Sequence, residues 1–272
     1  MSNDTFKKTR ILVECAVFTA IATVLSILKI VELPYGGSVT VASMLPIVMI
    51  AYRHGVLWGL GSGAVYGAIQ QLLGLKTLSY VTTWQSVLAV IILDYIVAFT
   101  VIGFAGAFRK NEKQNVSLAA GALLACLLRY ACHVISGATV WAGLSIPTQA
   151  ALLYSLAYNA TYMIPETIVL AAAAYYIGSV FDLRRDMPTR VIRGEGDKPP
   201  VLMWVCGLLI TGTLIFDTAM VFSKLQDGES GEFYIKGLAD VNWLWVGIVT
   251  GACVIAVTAL ILAGRAARGK KE

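Results

Sequence analysis

Long apolar runs dominate this sequence and limit what the chain can fold into. Hydrophobic residues make up 58% of its 272 residues and charged residues only 14%, whereas a soluble domain carries about 25% charged residues. A helix that crosses a bilayer needs about 20 mostly apolar residues. The sequence therefore predicts an all-α membrane protein with about eight transmembrane segments. These segments are 10–30, 39–53, 55–75, 84–108, 115–142, 148–181, 201–223 and 241–264.

Two of these segments differ from a simple transmembrane helix. The segment 39–53 is short and contains Pro46, which predicts a broken or re-entrant element. The segment 148–181 is long and contains Pro165. Since proline removes a backbone donor and clashes with the preceding turn, we expect a kink there.

A charged stretch with glycine and proline, residues 182–200, divides the chain. It predicts a six-helix body over residues 1–181, a cytoplasmic linker over 182–200, and an accessory two-helix membrane hairpin with a basic tail over 201–272. Asp217 lies within the hairpin. We expect it to lie near a helix end or to be paired internally.

The distribution of basic residues predicts the orientation in the membrane. With eight spans, sixteen lysines and arginines lie on the side of both termini and four on the opposite side, while Arg129 lies within a span. Cytoplasmic loops of membrane proteins carry the excess of lysine and arginine. The pattern predicts a multi-pass membrane protein with both termini in the cytoplasm. It also accounts for the net charge of +5 without a nucleic-acid partner.

Glycine recurs every fourth residue along the third segment, at Gly55, Gly59, Gly63 and Gly67. Residues four apart share a helix face, and small residues allow membrane helices to approach closely. The stripe favours packing within the bundle. A contact with another subunit is the alternative.

Ionisable residues also lie inside the apolar segments, including Asp94, Arg129 and His133. Each costs about 2.5–3.5 kcal/mol at the centre of a span, so such residues face a cavity, a ligand or one another. Arg129, His133, Gly137 and Trp141 are spaced by four, which predicts one wall of a pocket. A structural ion pair between Arg129 and Asp94 is an alternative that can coexist with a pocket.

Aromatic and amide side chains extend this predicted pocket. Tyr154 and Asn159 follow the short polar loop after Trp141, while Asp94 and Tyr95 lie about mid-span as its floor. A carboxylate surrounded by aromatic rings suits a small, flat, cationic heterocycle, although Arg129 means that the charges alone do not require a cation. The residues therefore predict an outward-facing pocket for a small aromatic solute.

Four stretches in order carry a resemblance to a known family: "LPYGGSVTVASMLPIVMIAYRHG", "LDYIVAF", "RYACHVISGATVW" and "YSLAYNAT". Together, over about residues 10–181, they resemble the thiamine-specific substrate-binding subunits of energy-coupling factor (ECF) transporters. The resemblance implies a six-helix membrane subunit that captures thiamine from outside at high affinity. It further implies docking on a transmembrane coupling protein and two cytoplasmic ATPases.

Roles for individual residues follow from the matching motifs. The resemblance implies a stacking surface from Trp141 and His133, charge balance for the thiazolium from Asp94, and recognition of the aminopyrimidine edge by Tyr154 and Asn159. Tyr66 is a weaker candidate. The implied binding set is Asp94, Tyr95, Arg129, His133, Gly137, Trp141, Tyr154, Asn159 and Tyr66.

The resemblance also implies a docking face and a lid. Ala16 and Ala20 on the first helix would face the coupling protein, and the loop from about Lys29 to Ser38 would cover the pocket. That loop contains no tryptophan. Tyr35 is the aromatic residue that could replace one.

Other functions fit the sequence less well. The stretch from Gly264 to Lys271, "GRAARGKK", resembles a phosphate-binding loop, but Lys271 stands where serine or threonine is required. A secondary transporter for a small heterocyclic cation or another vitamin is the main alternative, although the paired broken helices and repeat of such proteins are not evident. With two histidines in the chain, a membrane enzyme that uses His133 as base is disfavoured, and no metal or cofactor is expected.

Overall fold

The structure, a computed structural model, describes residues 3–33, 36–144, 148–149, 151–191, 201–225 and 235–269. The chain forms two compact units, residues 1–191 and 192–272. Tyr35, linker residues 192–200 and the basic residues at 270–271 lie outside the described residues.

The first unit is a helical bundle with two short strand pairs. Strands β1 (Lys29–Glu32) and β2 (Ser38–Thr40) form an antiparallel pair after the first helix, and β3 (Phe181–Asp182) pairs with β4 (Thr189–Arg190) after the last. The helices are α1 (Asn3–Ile27), α2 (Leu45–His54), α3 (Val56–Leu73), α4 (Trp84–Phe108), α5 (Gln114–Thr139) and α6 (Ala151–Val180).

The predicted all-α membrane fold is confirmed, whereas the count of eight spans is not. In the described part of the chain, six helices are long and apolar enough to cross a membrane, and neither α2 nor α3 is among them. Helix α2 has 10 residues and is about 15 Å long, half the thickness of a bilayer core. Pro46 lies in its first turn, where a missing backbone N–H is tolerated.

One helix contains an internal proline, and another departs from regular geometry. Helix α6 continues through Pro165 from Ala151 to Val180. Helix α4 contains a π-helical turn, Ile91–Val97, and tightens to a 3₁₀ helix over Val101–Phe108. Since π-helical turns occur frequently at functional sites, the turn that carries Asp94 and Tyr95 is a structural indication of a site.

The glycine stripe packs within the bundle, as predicted. A Cβ atom on Gly63 would lie 2.5 Å from the carbonyl oxygen of Phe99, and one on Gly67 would lie 2.6 Å from that of Tyr95. The same construction at Gly59 meets the backbone of α4 at 2.8 Å. Helices α3 and α4 therefore approach so closely that no side chain fits between them at these positions.

The second unit is a helical hairpin of α7 (Val201–Leu225) and α8 (Trp243–Gly269), with a short 3₁₀ helix, Ile235–Asp240, before α8. Thr250 Oγ1 donates a hydrogen bond of 2.6 Å to Asp217 Oδ2. The predicted internal pairing of Asp217 is thus confirmed, and it joins the two helices within their apolar length.

The close approach of α3 and α4 predicts an asymmetric effect of alanine. Gly63→Ala should lower the stability of the chain by about 1–3 kcal/mol, because α3 must move away from Phe99. Gly61→Ala on the same helix meets nothing within 4 Å and should leave the stability unchanged or raised, since alanine favours helix. Thermal unfolding of the detergent-purified chain, followed by tryptophan fluorescence, measures both. Equal melting temperatures would contradict the packing.

Candidate substrate-binding site

The carboxylate of Asp94 is the centre of a side-chain cluster. Asp94 Oδ1 lies 2.9 Å from His133 Nδ1, while Oδ2 accepts hydrogen bonds from Ser136 Oγ at 2.6 Å and Trp141 Nε1 at 3.0 Å. The side chain of Asp94 is 13% exposed. Three groups from the end of α5 and the residues just after it therefore bind the π-helical turn of α4.

Histidine is the basic residue that the described chain places beside the negative charge of Asp94. Among the residues that the structure describes, no lysine or arginine forms an ion pair with it. A carboxylate offers about four acceptor positions, and the described residues fill three. When neutral His133 donates through Nδ1, its Nε2 becomes an acceptor, and that buried atom has no hydrogen-bond partner in the described chain. Buried polar atoms are rarely left unpaired, so both groups are suited to a ligand.

Arg129 does not pair with Asp94, so the ion pair considered from the sequence is wrong. Its Nη1 lies 3.3 Å from Met44 Sδ, and its guanidinium carbon lies 4.3 Å from the centroid of the Phe99 ring. His133, one turn further along α5, lies at the level of Asp94 instead. Arg129 therefore adds positive charge to the bundle interior, while a cation–π contact holds its position.

Asn159 joins α6 to the cluster. Its Nδ2 donates to the carbonyl oxygens of Ser155 at 2.9 Å and His133 at 3.3 Å, and Tyr162 Oη donates to its Oδ1 at 2.6 Å. The rings of His133 and Tyr162 meet edge-on, with centroids 6.1 Å apart. Asn159 thus hydrogen-bonds the neighbouring helix α5 through the carbonyl oxygen of His133, and one lone pair of its Oδ1 stays available to a ligand.

The remaining predicted residues differ in their burial and in the residues that they contact. Gly137 and Tyr154 are buried. Tyr95 Oη donates to Thr77 Oγ1 at 3.1 Å, and so binds the segment after α3. Tyr66 is fully buried and packs edge-on against Phe99, with centroids 5.1 Å apart. The structure therefore joins Asp94, His133, Trp141 and Asn159 directly, while Tyr66 and the Tyr95 hydroxyl contact other residues.

Two members of the network were not predicted. Ser136 binds Asp94 and Tyr162 binds Asn159. Each lies three residues after a predicted site residue, at His133 and Asn159 respectively, and so on nearly the same helix face. That spacing was a signal in the sequence that could have identified both.

The predicted lid segment is a strand pair anchored beside the cluster. Strand β2 is attached to α6 by Glu166, which accepts hydrogen bonds from the Thr40 backbone N–H at 2.6 Å and from Thr40 Oγ1 at 2.7 Å. A Cβ atom on Gly37 would lie 2.7 Å from the Tyr162 ring. Gly37, which precedes β2, therefore lies against the Tyr162 ring of the network.

The predicted docking residues are exposed, unlike the buried residues of the cluster. Ala16 and Ala20 are exposed on α1, and Val13, Val17 and Ile21 around them are also exposed. The first unit thus presents an apolar face with small residues along α1.

Comparison with known proteins identifies the first unit. Residues 12–182 match the model of the family described as thiamine transporter protein (Thia_YuaJ). The thiamine transporter ThiT of Bacillus subtilis (strain 168) is 36% identical over 172 residues, covering 59% of this chain and 85% of that protein. The ThiT of Lacticaseibacillus paracasei is 26% identical over 180 residues, covering 60% and 84% respectively.

A solved structure agrees with these sequence matches. ThiT from Listeria monocytogenes superposes with a TM-score of 0.53 and 25% identity, covering 63% of this chain and 94% of that one. The family match ends at residue 182, before α7 begins at Val201. The chain is a multi-pass membrane protein that belongs to the thiamine transporter protein family, a family of transporters and not of enzymes.

Proposed function

We propose that this chain captures thiamine at the outer face of a bacterial cell membrane and passes it to an ECF module. The observation that carries the proposal is the Asp94 carboxylate, which three neutral-type donors bind and no lysine or arginine of the described chain neutralises. Relatives named thiamine transporters cover the same part of the chain. Thiamine joins a cationic thiazolium to an aminopyrimidine, and both rings are flat.

The charge and the rings can be recognised separately. Asp94 attracts the thiazolium, and the low dielectric of the bundle interior strengthens that attraction over its value in water. The bond from Trp141 Nε1 to Asp94 sets the orientation of the indole, whose face offers stacking and cation–π contact. Because hydrogen bonds already position Trp141 and His133, ordering these side chains on binding costs less conformational entropy.

Polar edges can then orient the aminopyrimidine. His133 Nε2 is buried and unpaired in the described chain, and Asn159 Oδ1 accepts from Tyr162 alone among the described residues. An unpaired acceptor matches an exocyclic amino group, which donates two hydrogen bonds. We assign Tyr154, buried at the first turn of α6, to the same edge, and Arg129, Gly137, Tyr95 and Tyr66 to the surrounding wall.

Energy for import would come from other chains. The exposed face of α1 with Ala16 and Ala20 supplies a surface on which a transmembrane coupling protein with two ATPases could dock by close helix packing. Basic residues in the last turn of α2, directly after α4 and after α6 meet at one end of the first unit, which supports a cytoplasmic end there. The proposed organisation is a substrate-binding body over 1–181, a linker over 182–200 and an accessory hairpin over 201–272.

The proposed site predicts a large effect of removing the charge of Asp94. Titration of the detergent-purified chain with thiamine, followed by intrinsic tryptophan fluorescence, should show saturable quenching. Asp94→Asn should weaken binding at least about tenfold, because a bound cation loses its counter-charge and one acceptor oxygen. Trp141→Ala should also weaken it.

Asp182→Asn is the matched control for this titration. Asp182 pairs with the exposed Arg185, far along the chain from the cluster, so thiamine affinity should stay at the wild-type value. Absence of any thiamine response in the wild-type chain would overturn the substrate. An equal affinity of wild type and Asp94→Asn would overturn the site.

The docking face predicts a separation of binding from uptake. Ala16→Trp combined with Ala20→Trp should abolish thiamine uptake in cells that contain the ECF module, because the bulky rings prevent close helix contact. Thiamine affinity of the purified variant should be unchanged. Ala68→Trp, at an exposed alanine of α3, is the control and should transport normally.

Two results would contradict docking at α1. One is full uptake by the double variant. The other is uptake by the wild-type chain alone in proteoliposomes, driven by a proton gradient, which would instead support a secondary transporter.

A further inference from the structure

A cavity of about 360 Å³ lies at the end of the first unit away from the Asp94 cluster. It is bounded by the start of α1, the end of α2, the residue after α4 and the turn between β3 and β4. Arg109 in its wall follows Asp94 by fifteen positions along α4, a separation of roughly 20 Å. The cavity is therefore separate from the proposed thiamine site.

Backbone and hydroxyl oxygens hold the guanidinium groups of this cavity. Arg53 donates to the carbonyl oxygen of Leu183 at 2.6 Å, Arg109 donates to that of Arg53 at 3.1 Å, and Arg184 donates to Tyr52 Oη at 2.9 Å. These acceptors are uncharged. These hydrogen bonds position the guanidinium groups without adding negative charge, and they join the ends of α2 and α4 to the turn between β3 and β4.

Carboxylates compensate only part of this charge. Asp186 is the one acidic residue in the wall, its side chain is 94% exposed, and it pairs with Arg10 at 3.5 Å. Glu14, behind the wall, pairs with Arg53, and Asp182, also outside the wall, pairs with Arg185 at 2.9 Å. The lysines and arginines that line the cavity outnumber these carboxylates; they are Lys7, Arg10, Arg53, Arg109, Arg184 and Arg185.

We propose that this cavity binds a phosphate group, that of an anionic phospholipid head group at the cytoplasmic leaflet. Arginine presents planar forks of N–H donors that match phosphate oxygens, and the volume suits a head group. Basic pockets between membrane helices on the cytoplasmic side bind such head groups. The helix ends that bound the cavity would lie at the membrane surface, where lipid phosphate is the concentrated source. Free phosphate shares the chemistry and is the second source to be tested.

Native mass spectrometry of the full-length chain in detergent tests the proposal. Wild-type protein should retain phosphatidylglycerol over phosphatidylcholine, which has the same phosphate but no net charge. Lys7→Gln combined with Arg185→Gln removes two of the charges that line the cavity. It leaves intact the three guanidinium hydrogen bonds described above. Since each lysine or arginine near an anionic surface strengthens lipid binding roughly fivefold, this variant should lose phosphatidylglycerol affinity at least about tenfold.

Lys110→Gln combined with Lys113→Gln is the matched control. Both lysines are exposed at the same end of the first unit and lie outside the cavity wall, so this variant should retain phosphatidylglycerol like the wild type. Thiamine affinity should be unchanged in both double variants. An unchanged affinity shows that the substitutions leave the first unit folded.

A parallel arm separates lipid from free phosphate. If inorganic phosphate at millimolar concentration raises the melting temperature of delipidated wild type but not of the Lys7→Gln, Arg185→Gln variant, the cavity binds phosphate from solution as well. Three results would overturn the proposal: no preference for phosphatidylglycerol together with no effect of phosphate, equal retention by wild type and the cavity variant, or an equal loss in the control variant.

Discussion

The bond network of the Asp94 carboxylate is the interaction on which the arrangement of α4, α5 and α6 depends. An ionised carboxylate within an apolar bundle is strongly disfavoured unless donors surround it. His133, Ser136 and Trp141 supply those donors, and the carbonyl oxygen of His133 in turn binds Asn159 on α6. Three helices are thus held in one register around a negative charge. The same charge that constrains the fold is the one that we propose selects the ligand.

Much of this site could be predicted from the sequence, because helical spacing and ionisable residues inside apolar segments are local signals. The spacing of four brings His133 to one face of α5, while Trp141 follows the end of that helix and still reaches Asp94. The partner of Asp94 could not be predicted in the same way. Which turn of α5 meets Asp94 depends on the π-helical turn of α4, which inserts an extra residue into the register and has no counterpart in a 3.6-residue period. The helical period alone therefore allows Arg129 to pair with Asp94. In the structure, Arg129 contacts Met44 and Phe99 instead.

The number of spans was the weaker part of the sequence prediction for a related reason. An apolar run in the sequence shows that a segment is hydrophobic but does not show how long its helix is. Helices α2 and α3 are apolar but short, and they pack through glycine against their neighbours. Helix α3 packs directly against the π-helical turn of α4 at Gly67. Glu166 of α6 binds strand β2 at Thr40. The proposed site therefore lies among elements that contact one another closely, and the β1–β2 strand pair lies beside it.

The most direct test of the central claim compares thiamine with an uncharged analogue whose thiazolium is replaced by a thiophene ring of the same shape. Competition titration of the purified chain measures both affinities. The account predicts that the uncharged analogue binds wild type at least about tenfold more weakly, a difference of about 1.4 kcal/mol, and that this gap closes in Asp94→Asn. Equal affinities for the two compounds in the wild-type chain would show that Asp94 holds the helices together but does not recognise the cation.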